Sequence, residues 1–136
     1  MTIILGDNII FDDLTEYVET FSSGARVFLK QVDNPQRFGV PEFATNKSII
    51  KIEEKPKEPK SKYAVTGVYQ YDSTVFDRVR KLKPSQRGEL EITDVNNAYL
   101  QEKKLLHVFL KCPWLDAGTF DSLLDSSNMA RKMLEN

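Results

Sequence analysis

The sequence is poor in the residues that build several common kinds of functional site. Its 136 residues include one cysteine, Cys112, and one histidine, His107. A single cysteine excludes an internal disulfide, and these two residues lack the clustering that a zinc site requires. The histidine lies in an apolar stretch, so no Ser/His/Asp or Cys/His catalytic set can be assembled around it. These absences argue against a zinc protein and against a hydrolase of the triad type.

Long stretches of one chemical character are also missing. The formal net charge is -1 and there is no long basic run, so we expect no nucleic-acid partner. No apolar run is long enough to cross a bilayer, and the one after Met1 is too short for a signal peptide. The composition, 40% hydrophobic and 29% charged, is that of one globular domain. We therefore expect a soluble, cytoplasmic protein that binds no membrane.

Short apolar runs alternate with helical patterns along the chain. Thr2–Leu5 is an apolar run rich in β-branched residues, which predicts a strand buried on both faces. An uncovered edge on that strand also predicts self-association, so we expect a homo-oligomer. The order of elements predicts an α/β fold with a mixed sheet, flanking helices and an antiparallel insertion. Further strands are predicted at 25–32, 63–71 and 105–110, a hairpin at 38–53, and helices near 14–21, 73–82, 93–102 and after Thr119.

The stretch 83–94 predicts a loop that turns into a helix. It contains proline, serine and glycine, and it ends on Thr93 and Asp94, which are candidate capping residues. A solvated loop before an ordinary helix explains this composition as well as a binding loop does. The observation that favours ligand binding is the concentration of charge on a glycine-containing loop, carried by Arg87, Glu89 and Glu91.

Two aspartates follow predicted strands at opposite ends of the chain. Asp7 lies in L-G-D-N and Asp116 in W-L-D-A-G-T, and they would converge if both strands ended at one edge of a sheet. Mg²⁺ takes carboxylate oxygens, and it commonly uses one or two from the protein while phosphates and water supply the rest. Turn or cap positions are the alternative for both residues, because Asp beside Gly is common there.

The polar segment 53–62 contains the candidate phosphate ligand. Lys55 precedes Pro56, which stiffens the loop, and its ammonium offers a point charge to an anion. A solvated lysine among several is the alternative interpretation. Glu54 and Glu89 could accept hydrogen bonds from sugar hydroxyls, and Gly67 and Tyr69 could line the pocket. Gly67 interrupts its strand, where a missing side chain permits close approach of a ligand or of backbone.

Together these segments resemble the sugar-nucleotide pyrophosphorylases, and within them the glucose-1-phosphate thymidylyltransferases. The resemblance covers essentially the whole chain, with its motifs in the family's order. It is strongest in E-E-K-P and R-G-E-L-E-I-T-D, and the second of these favours the thymidylyl subfamily. The matching stretches are L-G-D-N at 5–8, D-N-P-Q-R-F-G-V at 33–40, E-E-K-P at 53–56, Y-A-V-T-G-V-Y at 63–69, R-G-E-L-E-I-T-D-V-N at 87–96 and W-L-D-A-G-T at 114–119.

The resemblance implies a Rossmann-like nucleotidyltransferase fold, a reaction and a role for each matching position. Glucose 1-phosphate would attack the α-phosphorus of dTTP to give dTDP-glucose, an intermediate of dTDP-rhamnose biosynthesis, and pyrophosphate. Asp7 and Asp116 would hold a catalytic Mg²⁺, while Arg87 and Lys55 would act on the phosphates as catalytic residues. The implied substrate-binding residues are Gly39, Glu54, Lys55, Val65, Tyr69 and Glu89.

The sequence departs from the family in lacking the loop G-G-x-G-T-R-L, which cradles the triphosphate. We therefore expect residues 1–136 to correspond to the C-terminal, sugar-phosphate and metal part of the family's catalytic domain, and to have a partial fold and very low activity alone. The alternatives are a non-catalytic sugar-phosphate-binding or assembly module and a fragment of a uridylyl-type enzyme. Thymidine as the base is implied by the resemblance alone.

Overall fold

The computed structural model describes residues 1–134. Within this range the chain forms eight strands and four α-helices, with a 3-10 helix at Pro35–Arg37. The bounds are β1 Thr2–Ile4, β2 Asn8–Ile10, α1 Thr15–Glu19, β3 Ala25–Gln31, β4 Gly39–Phe43, β5 Ile49–Glu54, β6 Tyr63–Tyr71, α2 Val75–Lys81, α3 Ile92–Gln101, β7 Leu105–Phe109, β8 Trp114–Asp116 and α4 Phe120–Leu134. None of the helices in the described range has the length and apolar character of a membrane span.

The centre of the fold is a mixed sheet in the order β1-β6-β3-β7. Strand β6 runs antiparallel to both β1 and β3, whereas β3 runs parallel to β7. Eight consecutive residues of β6, from Ala64 to Tyr71, are buried, which is typical of a strand covered on both faces. The mixed sheet with flanking helices predicted from the sequence is confirmed.

Alternating side chains of β3 pack into two separate cores, one on each face of the sheet. Val27 and Leu29 pack with α3 and the β4–β5 hairpin, whereas Phe28 packs on the other face with Trp114. Helix α1 covers that second face, where Tyr17 meets Phe28 edge to face with ring centroids 5.6 Å apart. The period-2 alternation of a strand therefore explains why both faces carry helices.

Strand β1 differs from the prediction. Among the described residues it pairs only with β6, at the edge of the sheet, and Ile4 is 55% exposed instead of buried on both faces. A short apolar run does not distinguish an edge strand from a central one, because both have the same local composition. Its apolar edge leaves self-association as a prediction.

Two small antiparallel ladders complete the fold. The hairpin of β4 and β5 lies where it was predicted, and β2 pairs with β8, more than a hundred residues away. The Thr119 hydroxyl accepts a hydrogen bond from the Ser122 amide at the start of α4, so the predicted cap is confirmed. The predicted caps of α3 are wrong, because Glu91 is its N-cap residue and Thr93 lies inside the first turn.

Candidate functional site

A cleft of about 280 Å³ opens where the β2–β8 ladder, the end of β5, strand β6 and the start of α3 meet. It contains most of the residues that the sequence singled out. The predicted residues that line it are Asp7, Gly39, Glu54, Lys55, Val65, Tyr69 and Asp116. Among the other lining residues are three polar ones that we did not assign to the site, Asn8, Arg37 and Thr93.

The two aspartates converge, but not through the predicted geometry. Asp7 lies in the turn before β2, and Asp116 ends β8, so an antiparallel ladder brings them together instead of the ends of parallel strands. The Ala117 amide donates to the Asp7 carbonyl at 2.7 Å, which fixes the two backbones against each other. A β-carbon at Gly118 would lie 3.2 Å from Oδ1 of Asp116 and 3.5 Å from Oδ2 of Asp7. Gly118 therefore keeps the space between the carboxylates open.

Arg37 reaches one member of this pair. Its Nη2 lies 3.6 Å from Oδ2 of Asp116, and its side chain is half exposed. The long contact and the exposure make this a weak ion pair that a stronger cation can replace. In the sequence this arginine belongs to the segment 33–40, which matches a family motif, but we did not assign it a role.

Glu54 is held in the cleft by Thr93 from the first turn of α3. The threonine hydroxyl donates to Oε2 of Glu54 at 2.5 Å. A β-carbon at Gly39 would meet Thr93 Oγ1 at 3.1 Å and Glu54 Oε2 at 3.5 Å, so glycine makes room for this pair. Thr93 thus orients a side chain of the cleft instead of capping its own helix.

Lys55 follows Glu54 in an unusual backbone conformation. Its φ of 44° lies in the left-handed region, although it is not glycine and it precedes Pro56, which favours extended backbone. The Lys55 amide donates to the carbonyl of Phe38, the residue before β4, at 3.0 Å and so holds this conformation in place. Within residues 1–134 its ammonium has no hydrogen-bond or ion-pair partner. A strained residue with an unused charge is typical of a ligand-binding position.

Strand β6 forms the floor of the cleft. A β-carbon on Gly67 would overlap the carboxamide of Asn8, so the close approach predicted at this glycine is made by a side chain. Burial raises the pKa of the Tyr69 hydroxyl, and the charges of Glu54 and Asp7 raise it further. Tyr69 therefore presents a neutral phenol to the cleft, where the polar and apolar sides of a sugar can both be contacted.

Asn8 connects three parts of the site. Its Oδ1 accepts from the Gly67 amide at 2.8 Å and from the Trp114 indole at 2.6 Å, and its Nδ2 donates to Asp7 Oδ1 at 2.8 Å. Trp114 in turn packs edge to face on Phe38, which also lines the cleft. The one indication of this residue in the sequence is its position after Asp7 in L-G-D-N.

The structure does not bring Arg87 and Glu89 into the cleft. Arg87 forms ion pairs with Glu89 at 3.0 Å and with Glu91 at 3.5 Å, and Glu91 also accepts from the Ser85 hydroxyl. The charges that drew attention to this loop therefore compensate one another. The roles that the resemblance implies for Arg87 and Glu89 stay predictions.

The cleft suits an anionic sugar bound with a hard cation. Lys55 supplies a positive charge, Glu54 accepts hydrogen bonds, and the open space between Asp7 and Asp116 fits a cation that takes its remaining ligands from phosphate and water. In the described part of the chain, no group of three or more His, Cys, Asp or Glu residues could hold a metal by itself.

Comparison with known sequences gives consistent matches over nearly the whole chain. A family profile described as "Nucleotidyl transferase" matches residues 1–133. The glucose-1-phosphate thymidylyltransferase of Mycolicibacterium smegmatis is 47% identical over 136 residues, which cover 96% of the chain and 47% of that protein. A protein of the same name from Neisseria meningitidis is 44% identical, with 95% and 47% coverage. The chain thus spans about half the length of the curated relatives it matches.

Solved structures also match the fold over nearly the whole chain. A Bacillus anthracis structure assigned as a glucose-1-phosphate thymidylyltransferase, in complex with a sucrose, has a TM-score of 0.88 at 55% identity, covering 96% of the chain and 54% of that protein. A UDP-glucose pyrophosphorylase complexed with UDP-glucose has a TM-score of 0.81 at 22% identity, covering 97% and 56%. The second similarity is evidence for a shared fold alone.

Proposed function

The chain belongs to the nucleotidyl transferase family, and we propose that its cleft binds glucose 1-phosphate as part of a glucose-1-phosphate thymidylyltransferase. The relatives that share 44% to 55% of its residues carry that name, which supports glucose 1-phosphate and dTTP as the substrates. The observation that carries the proposal is Lys55, which follows Glu54 in a strained backbone conformation and whose ammonium has no partner within residues 1–134.

The sugar phosphate would bind with its phosphate at Lys55 and its hydroxyls toward Glu54. The ammonium is available for a charge-assisted hydrogen bond, because no carboxylate in the described chain competes for it. The Glu54 carboxylate is already oriented by Thr93, so little ordering remains when a sugar hydroxyl binds. The Tyr69 ring and Val65, both on β6, form the floor of the cleft beside them.

Asp7 and Asp116 would hold the Mg²⁺. The ion, when bound, would neutralise charge on the phosphates and help to align them. Arg37 would be displaced from Asp116 at that stage, because its contact at 3.6 Å is weak and its side chain is half exposed. Asp7 needs no such rearrangement, since its carbonyl and one carboxylate oxygen are already fixed by hydrogen bonds.

The reaction is a direct displacement at phosphorus. A phosphate oxygen of glucose 1-phosphate forms a bond to the α-phosphorus of dTTP as the bond to the bridging oxygen breaks, and pyrophosphate leaves with that electron pair. The protein's contribution is alignment and charge compensation, because no covalent intermediate is needed. Arg87 can reach a phosphate only after it leaves its ion pairs with Glu89 and Glu91.

Calorimetric titration of glucose 1-phosphate into the 136-residue chain tests the proposal. We expect binding by the unchanged chain and a loss of about 10- to 100-fold in affinity for Lys55→Ala, which is the usual size of a charge-assisted contact. Lys57→Ala is the matched control, because Lys57 is exposed two residues further along the same segment and does not line the cleft.

The outcomes separate the candidate functions. Glucose 6-phosphate carries the same charge in a different arrangement, and we expect it to bind more weakly than glucose 1-phosphate. Equal affinity of Lys55→Ala and the unchanged chain for glucose 1-phosphate would contradict the proposed phosphate site. A second titration with dTTP and Mg²⁺ then reports whether this chain also contacts the nucleotide or acts as a sugar-phosphate-binding module.

A further inference from the structure

We propose that Asn8 is a positioning residue that fixes the Asp7 carboxylate for metal binding and couples it to the wall of the cleft at Trp114. The inference rests on the proposed function, in which Asp7 and Asp116 hold the cation. It assigns to Asn8 a role that acts through Asp7, without requiring contact with the substrate.

The hydrogen bonds of Asn8 occupy both ends of its carboxamide. The oxygen accepts from the Gly67 amide on β6 and from the Trp114 indole on β8, at 2.8 Å and 2.6 Å. The nitrogen donates to Oδ1 of Asp7 at 2.8 Å. Three elements that are distant in sequence, the turn at Asp7, β6 and β8, thus meet at one half-buried side chain.

This arrangement permits only one orientation of the amide. The two groups facing Oδ1 are both obligate N–H donors, and rotating the carboxamide by half a turn would direct an NH₂ group against them. The nitrogen must therefore face Asp7. Gly67 is required for the same reason, because a β-carbon there would occupy the space of the carboxamide.

The consequence for Asp7 is that its two oxygens have different surroundings. Oδ1 is occupied by Asn8, while Oδ2 lies toward Gly118 and Asp116, 3.5 Å from the point where a Gly118 β-carbon would be. The hydrogen bond from the Ala117 amide fixes the Asp7 backbone, and Asn8 fixes its side chain. Asp7 is therefore the preformed ligand of the pair, whereas Asp116 makes a weak contact with Arg37.

Outer partners of metal ligands typically contribute about 10- to 100-fold to metal affinity, because they hold the ligand in its binding orientation. Asn8→Ala removes all three hydrogen bonds and frees the Asp7 carboxylate to rotate into solvent. We expect Mn²⁺, a paramagnetic ion that shares the oxygen-ligand preference of Mg²⁺, to bind this variant about tenfold more weakly.

The test is a Mn²⁺ titration of the 136-residue chain followed by electron paramagnetic resonance, which measures free Mn²⁺ directly. Asn97→Ala is the matched control: Asn97 is also half-buried, and its carboxamide exchanges two hydrogen bonds with the backbone of Ile52, and neither residue lines the cleft. We expect this control to lose stability and to keep its Mn²⁺ affinity within about twofold, since it leaves the Asp7 environment intact.

Tryptophan fluorescence supplies a second readout that does not need metal. Trp114 is the single tryptophan of the chain, so its emission reports on the indole that Asn8 accepts from. We expect the emission maximum to shift in Asn8→Ala and to stay unchanged in Asn97→Ala. If Asn8→Ala fails to fold, Trp114→Phe keeps an aromatic ring and removes the indole donor, and a loss of Mn²⁺ affinity in that variant supports the proposal.

Each remaining outcome is decisive. Unchanged Mn²⁺ affinity in a folded Asn8→Ala variant, or in Trp114→Phe if the first does not fold, overturns the positioning role and leaves the proposed function intact. No Mn²⁺ binding by the unchanged chain overturns the role together with the proposed metal site. In that case the glucose 1-phosphate titration still decides whether the sugar-phosphate part of the proposed function stands.

Discussion

Two regions of this molecule concentrate charged side chains, and they use them in opposite ways. One is the cleft with Asp7, Glu54, Lys55 and Asp116. The other, which we call the helix network, lies between β6, α2 and α3. There the carboxylates and the guanidinium are matched to partners within the protein. The helix network consists of Asp72, Thr74, Arg78, Tyr99 and Glu102.

The helix network leaves little charge for an external ligand. Arg78 makes two hydrogen bonds to the Glu102 carboxylate, at 2.6 and 2.8 Å, and lies 4.0 Å from the centre of the Tyr99 ring. Asp72 accepts from the Gly24 amide at 2.7 Å and from the Tyr99 hydroxyl at 2.9 Å. These contacts join α2, α3 and β6, so the charges serve the fold.

The cleft has the reverse arrangement. Lys55 has no partner in the described chain, Asp7 keeps one oxygen directed toward Asp116, and the Arg37 contact with Asp116 is long. Composition alone does not distinguish the regions, since both contain acids, a base and a tyrosine. What distinguishes them is whether the charges are compensated internally, and uncompensated charge in a cavity is the mark of a ligand site.

The largest effect that this comparison predicts is on stability, at Arg78. We expect Arg78→Ala to lower the free energy of unfolding by about 2 kcal/mol, because it removes a bidentate ion pair and a cation–π contact from a largely buried side chain. Urea denaturation measures this change. Arg80→Ala is the control, since Arg80 is 74% exposed and pairs with Asp77 at the surface, and we expect a change of about 0.5 kcal/mol or less.

The same variant tests whether the two regions are independent. We expect folded Arg78→Ala to bind glucose 1-phosphate as the unchanged chain does, because none of the helix network residues lines the cleft. A weaker sugar-phosphate affinity in this variant, measured where it is fully folded, would show that the helix network belongs to the site and that the two regions are not independent.

A smaller effect is expected on the pH dependence of stability. Burial opposes the ionisation of Asp72, but hydrogen bonds from Thr74, Gly24 and Tyr99 outweigh it and lower its pKa from 3.8 to about 2. A carboxylate whose pKa is lower in the folded chain contributes stability above the unfolded value. That contribution is lost as the pH falls from about 4 to about 2.

Asp72→Asn should therefore flatten the acid side of the stability curve. We expect the variant to lose about 1 kcal/mol at neutral pH, less than the full pKa shift implies because the carboxylate keeps some contact with solvent. Part of the pH dependence of stability remains in this variant because of Glu102, whose pKa Arg78 and Lys104 also lower to about 2. If the variant and the unchanged chain lost the same stability between pH 7 and pH 2, Asp72 would not be a source of the pH dependence. Thermal unfolding across this range measures it.

Local patterns predicted most of the fold, and the failures were long-range. Strands β3 and β6 and the β4–β5 hairpin follow from alternation and turn residues within a few positions of each other. The β2–β8 ladder was not predicted, because nothing in the residues of either strand indicates a partner more than a hundred positions away. The edge position of β1 was missed for a related reason, since local composition does not specify strand order.

The candidate site likewise contains residues that local sequence indicated and residues whose role depends on distant partners. Asp7 and Lys55 were found because charged residues beside glycine or proline stand out in a sequence, and the cleft contains both. Asn8 and Thr93 were missed as site residues because neutral polar side chains have many structural uses, and their importance lies in the partners they contact. Arg87 attracted attention for its charge, yet its neighbours on the loop compensate that charge, which sequence spacing does not reveal.

The smallest predicted effect is on stability at Lys55, where two substitutions distinguish backbone strain from the binding of glucose 1-phosphate. Glycine adopts a positive φ without steric cost, whereas alanine retains the strain of the native φ of 44°. We therefore expect Lys55→Gly to be more stable than Lys55→Ala by about 0.5 to 1 kcal/mol, while both variants lose glucose 1-phosphate affinity equally. Urea denaturation and calorimetry measure the two properties.

Lys57 provides a control at which we expect the opposite order of stability for the glycine and alanine variants. Its φ is not positive, so Lys57→Gly should be less stable than Lys57→Ala, because glycine there only adds freedom to the unfolded chain. If glycine lowered stability at both positions, Lys55 would hold no backbone strain. The cleft would then differ from the helix network in its unpaired charge alone. If glycine is more stable than alanine at position 55 but less stable at position 57, the backbone at Lys55 is strained. The cleft would then contain both an unpaired charge and a strained backbone.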